Sequence, residues 1–383
     1  MLEFRLSIKN LLGAKLRTFL NLFVLSISFV VIILLNSLMD GWDAQAKKDS
    51  VEWEYGSGHL LNENYDPLDS FSILDGHAQI PDNANNLTPI LVHQATIYPD
   101  GRMMSIKING IPKDQKSIKI PTAKISANLT KFPALIGKRM AESANISVGD
   151  EVLIRWRDKN GTFDANRITV IDIFDSNVPT IDAGQIWISL DALWEMTGFN
   201  NEATFFIAND LYQHSKISGW EFKSKETLLK VITDLVDAKK SQQAIVYILL
   251  LGIALLAIFD TQVLSIFRRQ KEIGTLIALG MTRKRVVKLF TIEGSLYSFF
   301  ALLFGSIYGL PLFYFLAVEG FPVPPADQKV GIAMSDFIYP LYGLKLIFGT
   351  VFLVVISSTI VSFIPARKIS KMNPVLALKG KLQ

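Results

Sequence analysis

The chain has 383 residues, half of them hydrophobic, a formal net charge of +4 and no cysteine. The lack of cysteine excludes disulfides, thiolate metal sites and cysteine nucleophiles. The basic balance does not signal nucleic-acid binding, because the charge is divided by segment. Residues 1–18, 268–293 and 365–383 carry 16 Lys/Arg against 3 acids, whereas 40–243 carry 21 against 28. Such a split reads as topology across a membrane, with the basic segments on the cytoplasmic side.

Residues 1–18 set Arg5, Lys9, Lys15 and Arg17 among Phe4, Ile8, Leu11, Leu12 and Leu16. A cytoplasmic amphipathic helix is expected there, although Lys15 projects onto the apolar arc. Residues 19–39 then run for 21 positions without a charge, the length a bilayer core demands at ~1.5 Å per residue. The apolar region of a secretory signal is shorter, up to ~15 residues. Trp42 and Trp53 are placed to anchor the far interface. From 40 to 243 the composition becomes that of a soluble α+β domain on the periplasmic side. Runs at 103–111, 150–157, 166–174 and 185–189 predict strands. Gly149-Asp150 and Asn160-Gly161 are turn signals, the second closing a hairpin. Helical spacing covers 132–146, 189–198 and 224–243.

The last of these helices meets no breaker before the second span, 244–267, so domain and span share one rod. Asp260 lies well inside that span. A bare aspartate costs ~2.5–3.5 kcal/mol at mid-bilayer, which predicts that it faces protein or water and is functional. The alternative is that it snorkels toward the basic end at Arg268 and Arg269. Residues 268–294 form that basic region. Within it Ile273, Leu276, Ile277 and Gly280 fall on one helical arc, and Lys271, Thr275 and Ala278 on the other side. This predicts a short helix whose small-residue apolar face presses into a groove of a cytosolic partner. The alternative is a juxtamembrane helix lying on anionic lipid.

Residues 295–318 are the third span. Gly305 and Gly309 there permit close helix approach, and Pro311 is placed to kink the helix. Residues 319–340 are a periplasmic loop, 341–364 the fourth span and 365–383 a cytoplasmic tail. The expected fold is a membrane protein: an α-helical bundle of four transmembrane helices, with a large α+β periplasmic domain between helices 1 and 2. No G-x-x-x-x-G-K-[ST] phosphate loop, H-E-x-x-H pair or G-x-S-x-G elbow occurs, and the four histidines are scattered. No catalytic residue, metal site or cofactor is predicted for this chain.

The order Arg269-x-Lys271-Glu272-Ile273-Gly274, then Ala278-Leu279-Gly280-Met281 and Glu293-Gly294, resembles the coupling region of MacB/FtsX-type ABC transporter permeases. Ile8-Lys9-Asn10-Leu11-Leu12 near the start and Pro365-Ala366-Arg367-Lys368 with Pro374-Val375 near the end look like the same family. Pro133-Ala134-Leu135-Ile136-Gly137, Val148-Gly149-Asp150-Glu151-Val152 and Ile173-Phe174-Asp175-Ser176 are similar to the periplasmic domain of lipoprotein-releasing (LolC/LolE-like) permeases. That domain has a porter-like part built from both ends and an inserted subdomain, placed here at 122–205. The resemblance implies that Lys271, Glu272, Ile273, Gly274, Leu276, Ile277, Ala278 and Gly280 form a coupling helix. It would dock on a cytosolic ABC ATPase dimer, which holds the ATP and Mg. The resemblance also implies a second permease copy or paralogue, a multi-pass location in the bacterial inner membrane with both termini cytoplasmic, and a lipoprotein substrate passed to a periplasmic carrier. MacB-like efflux of drugs or peptides through a tripartite assembly and FtsX-like signalling to a cell-wall hydrolase are its alternatives.

Overall fold

Among the described residues, four helices are long and apolar enough to cross a membrane. In the computed structural model, which describes residues 15–127, 130–214, 216–323 and 333–371, they are α1 (Lys15–Ser50), α2 (Lys225–Arg268), α4 (Arg283–Glu319) and α5 (Leu344–Ala366), with a short α3 (Gln270–Ala278) between α2 and α4. The expected helix over 1–18 falls mostly outside the described residues, as do 324–332 of the expected loop and 372–383 of the tail. The chain divides into two units, one from residues 1–42, 236–321 and 338–383 and one from 43–235 and 322–337.

The helical unit packs around one apolar cluster to which all four long helices contribute. Leu25 and Phe29 of α1 meet Ala254 and Ile258 of α2, Leu296, Tyr297 and Ala301 of α4 and Val354 of α5. Polar side chains also lie in the helical unit: Ser28 Oγ donates to the Val24 carbonyl at 3.1 Å, whereas among the described residues the side-chain amide of Gln262 is buried with no hydrogen bond. Asn21 Nδ2 donates to Thr261 Oγ1 at 2.6 Å, joining α1 to α2. The Gly305/Gly309 pair is used inside the chain: an added Cβ would come within 3.3 Å of Ser26 Cβ at Gly305 and 2.9 Å of Val30 at Gly309. The small residues therefore let α4 approach α1. Gly294 plays the same part against α5, where a Cβ would overlap the Ser362 side chain. α2 is unbroken for 44 residues. At ~1.5 Å per residue such a rod is about twice as long as a ~30 Å hydrocarbon core is thick.

The second unit is built on nine strands. They are β1 (Gly58–Asn62), β2 (Leu87–Ile97), β3 (Met104–Ile111), β4 (Pro133–Gly137), β5 (Glu151–Arg157), β6 (Phe163–Phe174), β7 (Gln185–Ser189), β8 (Phe205–Ala208) and β9 (Trp220–Ser224). The order is β9-β1-β8-β2-β3-β7-β4-β6-β5, and β5 also pairs with β2. The six strands from β2 to β5 thus close on themselves as a barrel, filled by Leu91, Ile97, Ile108, Ile136, Ile154, Ile168, Ile186 and Ile188. β1, β8 and β9 extend β2 on the other side over a smaller core of Leu60, Phe206 and Trp220.

Two expectations are corrected here. The helix predicted over 132–146 is strand β4 followed by a helix only at Lys138–Ala144. All five β4 residues are buried, so the run lacks the alternation that marks a half-exposed strand. The subdomain predicted at 122–205 does not separate there. β3 pairs in parallel with β7 from Lys107↔Gln185 to Ile111↔Ser189, and β2 pairs with β5, so the barrel draws two of its strands from before residue 122. The predicted hairpin turn is present between β5 and β6. Asp158 Oδ1 accepts from the backbone N–H groups of Asn160 and Thr162, and Gly161 takes a φ of 81°.

Two neighbouring groups, His59 and Glu54, act in opposite directions on the pH dependence of this unit. His59, on β1, sits between the Tyr55 and Phe205 rings and donates from Nε2 to the Glu54 carbonyl at 2.9 Å. Burial holds its imidazole neutral, with the pKa pushed down to about 4. At this group the folded state thus binds fewer protons than the unfolded chain below pH 6.5. The His59 share of stability is full above that pH and falls as the pH drops toward 4, by roughly 2 kcal/mol between pH 7 and 5. The adjacent Glu54, whose carboxyl is pushed up to about 7 by burial, takes up a proton in the folded state over the same interval and opposes that loss. His59→Gln, which keeps a donor for the carbonyl, is therefore expected to make the unit more stable at pH 5 than the unaltered chain, read as slower hydrogen exchange of the β1 amides.

Candidate functional site

The region from Arg268 to Glu293 is where the helical unit turns back on itself, and its geometry is set by one side chain. α2 ends at Arg268, and Arg269 breaks the helix with φ −103° and ψ 18°. Its guanidinium donates from Nε and Nη2 to both carboxylate oxygens of Glu272, each at 2.7 Å, and from Nη1 to Glu293 at 2.9 Å. The same group lies 4.8 Å over the Phe290 ring. These hydrogen bonds hold the Glu272 carboxyl below its usual range. A planar fork with two carboxylates and an aromatic face is an arrangement arginine alone can make. It ties the start of α3 to the body of α4.

The other end of α3 is fixed by a left-handed glycine. Gly280, at φ 95°, lets its own N–H donate to Ile277 O and the Met281 N–H donate to Leu276 O, each at 3.0 Å. This is the Schellman closure, in which the residue after the glycine packs back on the helix. Leu276 and Met281 accordingly lie together against one apolar cluster with Ile273 and Ile277.

That packing reverses the face assigned from the sequence. Ile273 is 0% exposed, Gly274 is buried, and Leu276 and Ile277 are half-buried against Ile266, Val286, Phe290, Ala366 and Ile369. The apolar arc predicted to enter a partner's groove is instead the internal seam of the chain. The face α3 presents outward is Lys271, Glu272, Thr275 and Ala278, continued by Leu279 at 80% exposure and by Gly280. Periodicity identified the helix correctly, but a 9-residue amphipathic helix carries no label saying which side meets its own chain.

Asp260 is exposed, which is compatible with both of the alternatives expected for it. It stands on the outward side of α2, in line with exposed Ile253, Leu256, Leu264 and Phe267. The described part of the chain does not cover it. Arg269 and Glu293 were not assigned a role from sequence. The signal available was the Arg269/Glu272 spacing of three, which brings side chains together on a helix, but Glu293 is reached only through the fold. No group of three or more His, Asp or Glu residues that could hold a metal occurs among the described residues.

Residues 244–374, which contain this whole region, match the FtsX-like permease C-terminal family. An uncharacterized ABC transporter permease of Methanocaldococcus jannaschii is 26% identical over 272 residues, covering 66% of this chain and 63% of its own length. LolC of Neisseria meningitidis, a lipoprotein-releasing system transmembrane protein, is 20% identical over 329 residues, covering 76% of this chain and 77% of that one. MacB of Campylobacter fetus, a macrolide export ATP-binding/permease protein, is 33% identical over 138 residues, 34% of this chain and 19% of that protein. Residues 244–374 are thus an FtsX-like permease C-terminal segment, and the relatives named ABC transporter permease, LolC and MacB support a likeness of the chain to the MacB/FtsX/LolC-type permease superfamily. The chain spans 63% of the length of the archaeal relative. The family match begins within α2 and runs past α5. It therefore takes in the Arg269 clamp, the Gly280 closure and Asp260 together.

Proposed function

We propose that this chain is the transmembrane permease subunit of an ABC transporter and that α3 is the element on which a separate cytosolic ATPase dimer acts. The observation that carries this reading is the outward face of α3. Leu279 is a large apolar side chain left 80% exposed beside Lys271, Thr275 and Ala278, on a helix clamped at both ends. An exposed leucine ringed by small and polar residues is suited to fill a pocket on a partner. Closure of the ATPase would push on α3, and the Arg269–Glu293 bond would pass that push to α4 rather than let α3 swivel. The unbroken α2, which contributes residues to both units, would carry motion toward the large domain on the periplasmic side. The chain itself supplies no ATP site in this scheme; ATP and Mg belong to the partner.

A second permease copy or paralogue is proposed to cover the outward side of α2. A carboxylate facing hydrocarbon is costly, and a protein neighbour at Asp260 would remove that exposure. Asp260→Asn is expected to impair transport while leaving membrane insertion unchanged. Wild-type transport by that variant would instead assign Asp260 to the interface beside Arg268.

The proposed cargo is a lipoprotein taken from the inner membrane and handed to a periplasmic carrier. Support comes from the breadth of the likeness to LolC, which reaches across 76% of the chain and therefore beyond the helical unit. The large domain also presents Leu68 and Phe71, 96% and 82% exposed, on one loop, which suits an apolar partner or ligand. The test is native purification of the tagged chain with mass spectrometry of everything bound. A cytosolic ATPase together with acylated proteins is expected. The ATPase without acylated protein would move the function to efflux or to signalling, and absence of the ATPase would overturn the coupling role.

A further inference from the structure

Between α4 and α5 the basic end of the helical unit contains a groove of about 430 Å³ lined by Lys284, Val287, Lys288, Thr291, Ile292, Phe363, Arg367 and Ser370. Its two walls are helical stripes. Residues 284, 287, 288, 291 and 292 recur at the three- and four-residue spacing of one face of α4, and 363, 367 and 370 do so on α5 and the turn that follows it. We propose that this groove binds an anionic phospholipid, with the headgroup phosphate among Lys284, Lys288 and Arg367 and the first part of an acyl chain against Val287, Ile292 and Phe363.

Three observations favour that occupant. The three cations are exposed, and among the described residues none of them forms an ion pair. The carboxylates of this end, Glu272 and Glu293, are both engaged by Arg269. The groove also lies where each wall changes from apolar to basic. Lys284 and Lys288 precede the uncharged stretch of α4 that begins at Gly294, and Arg367 ends that of α5. A mixed lining at that level matches the headgroup boundary of a bilayer, where basic pockets between helices collect acidic lipids. A free phosphate would gain nothing from Val287, Ile292 and the half-exposed Phe363. Finally, both hydroxyls of the site point back into the backbone: Thr291 Oγ1 donates to Val287 O at 2.9 Å and Ser370 Oγ to Arg367 O at 2.8 Å. Neither is left to donate to a headgroup. Recognition therefore rests on charge and on the apolar wall, and the site should take acidic phospholipids as a class rather than one headgroup.

The proposal rests on α4 and α5 spanning the membrane with their basic ends in the cytoplasm, but its test needs neither an ATPase nor transport. The detergent-purified full chain is mixed with phosphatidylglycerol or phosphatidylcholine and bound lipid is read by native mass spectrometry. The chain is expected to retain phosphatidylglycerol and not phosphatidylcholine. Neutralising each of Lys284, Lys288 and Arg367 to Gln should lower retention about fivefold, and all three together about 100-fold. A charge-matched control outside the groove, with Arg268, Arg285 and Lys368 changed to Gln, should retain the lipid as the unaltered chain does. If the triple variant fails to fold, the single Lys288→Gln variant decides the matter by its fivefold loss. Equal loss in groove and control variants would overturn the proposal, since it would reduce the effect to bulk charge. Displacement of the lipid by millimolar inorganic phosphate would overturn it in favour of a free-anion site. Unchanged lipid retention in the groove variants, with loss of a co-purifying ATPase, would make the groove a protein-docking surface instead.

Discussion

Replacing Arg269 with Ala is expected to release α3 from α4 and to abolish ATP-driven transport. The side chain is 18% exposed, and its Glu293 partner 6%. Removing the guanidinium deletes one partner of a buried ion pair, a change that costs about 3–5 kcal/mol. The half-exposed Glu272 contributes little to this figure, because its bond is screened by water. The energetic argument fixes a second result. Glu293→Gln in the Arg269→Ala background should recover part of the lost thermal stability, since the buried charge is removed together with its Arg269 partner. Transport should stay lost, because the charged tie between α3 and α4 is gone and only their apolar contact remains. Thermal unfolding and vesicle transport of the two variants separate these effects. Normal transport by Arg269→Ala would show that the clamp plays no part in transmission.

The second large effect is a contrast between two apolar positions six residues apart. Ile273→Asp places a carboxylate in the closed cluster with Val286, Phe290 and Ile369, and an unpaired buried charge there is expected to unfold the basic end. Leu279→Asp, at 80% exposure, should change stability by no more than about 0.5 kcal/mol. It should nevertheless reduce ATPase binding at least tenfold if the leucine fills a partner's pocket, a loss of about 1.4 kcal/mol or more. Size-exclusion behaviour separates the first variant from the second, and ATPase co-purification reads the docking effect. A stable Ile273→Asp chain that loses the ATPase would restore the inward face of α3 as the docking surface.

The elements most legible in the sequence were those whose physics is local. A run of 21 uncharged residues, the rod through 225–268 and the Asn160-Gly161 turn each follow from length, charge or turn chemistry. What the sequence concealed depends on contacts far apart along the chain. β4 is buried on both faces and so loses its alternation, and β2 was missed although it is shared by the barrel and the smaller core. The barrel boundary follows from the β3–β7 and β2–β5 pairings, which no local pattern encodes. At the candidate site, the positions of α3, Gly280 and Asp260 were visible. Which face of α3 was free was not, because that is decided by Phe290 and Ala366 arriving from two other helices. The role of Glu293 was hidden for the same reason, since it lies 24 residues from Arg269. Gly305 and Gly309 were read correctly as a site of close approach, and the structure supplies the neighbour, α1.

The absence of cysteine from the chain allows the central claim to be tested with single introduced thiols. Leu279→Cys and Ile273→Cys would each be made in the full chain, purified with whatever ATPase accompanies it, and treated with a short thiol-to-amine cross-linker. The expected result is a covalent adduct between position 279 and the ATPase, with none from position 273. An adduct from neither position, or from 273 alone, would contradict the assignment of the outward face of α3 as the place where the ATPase acts.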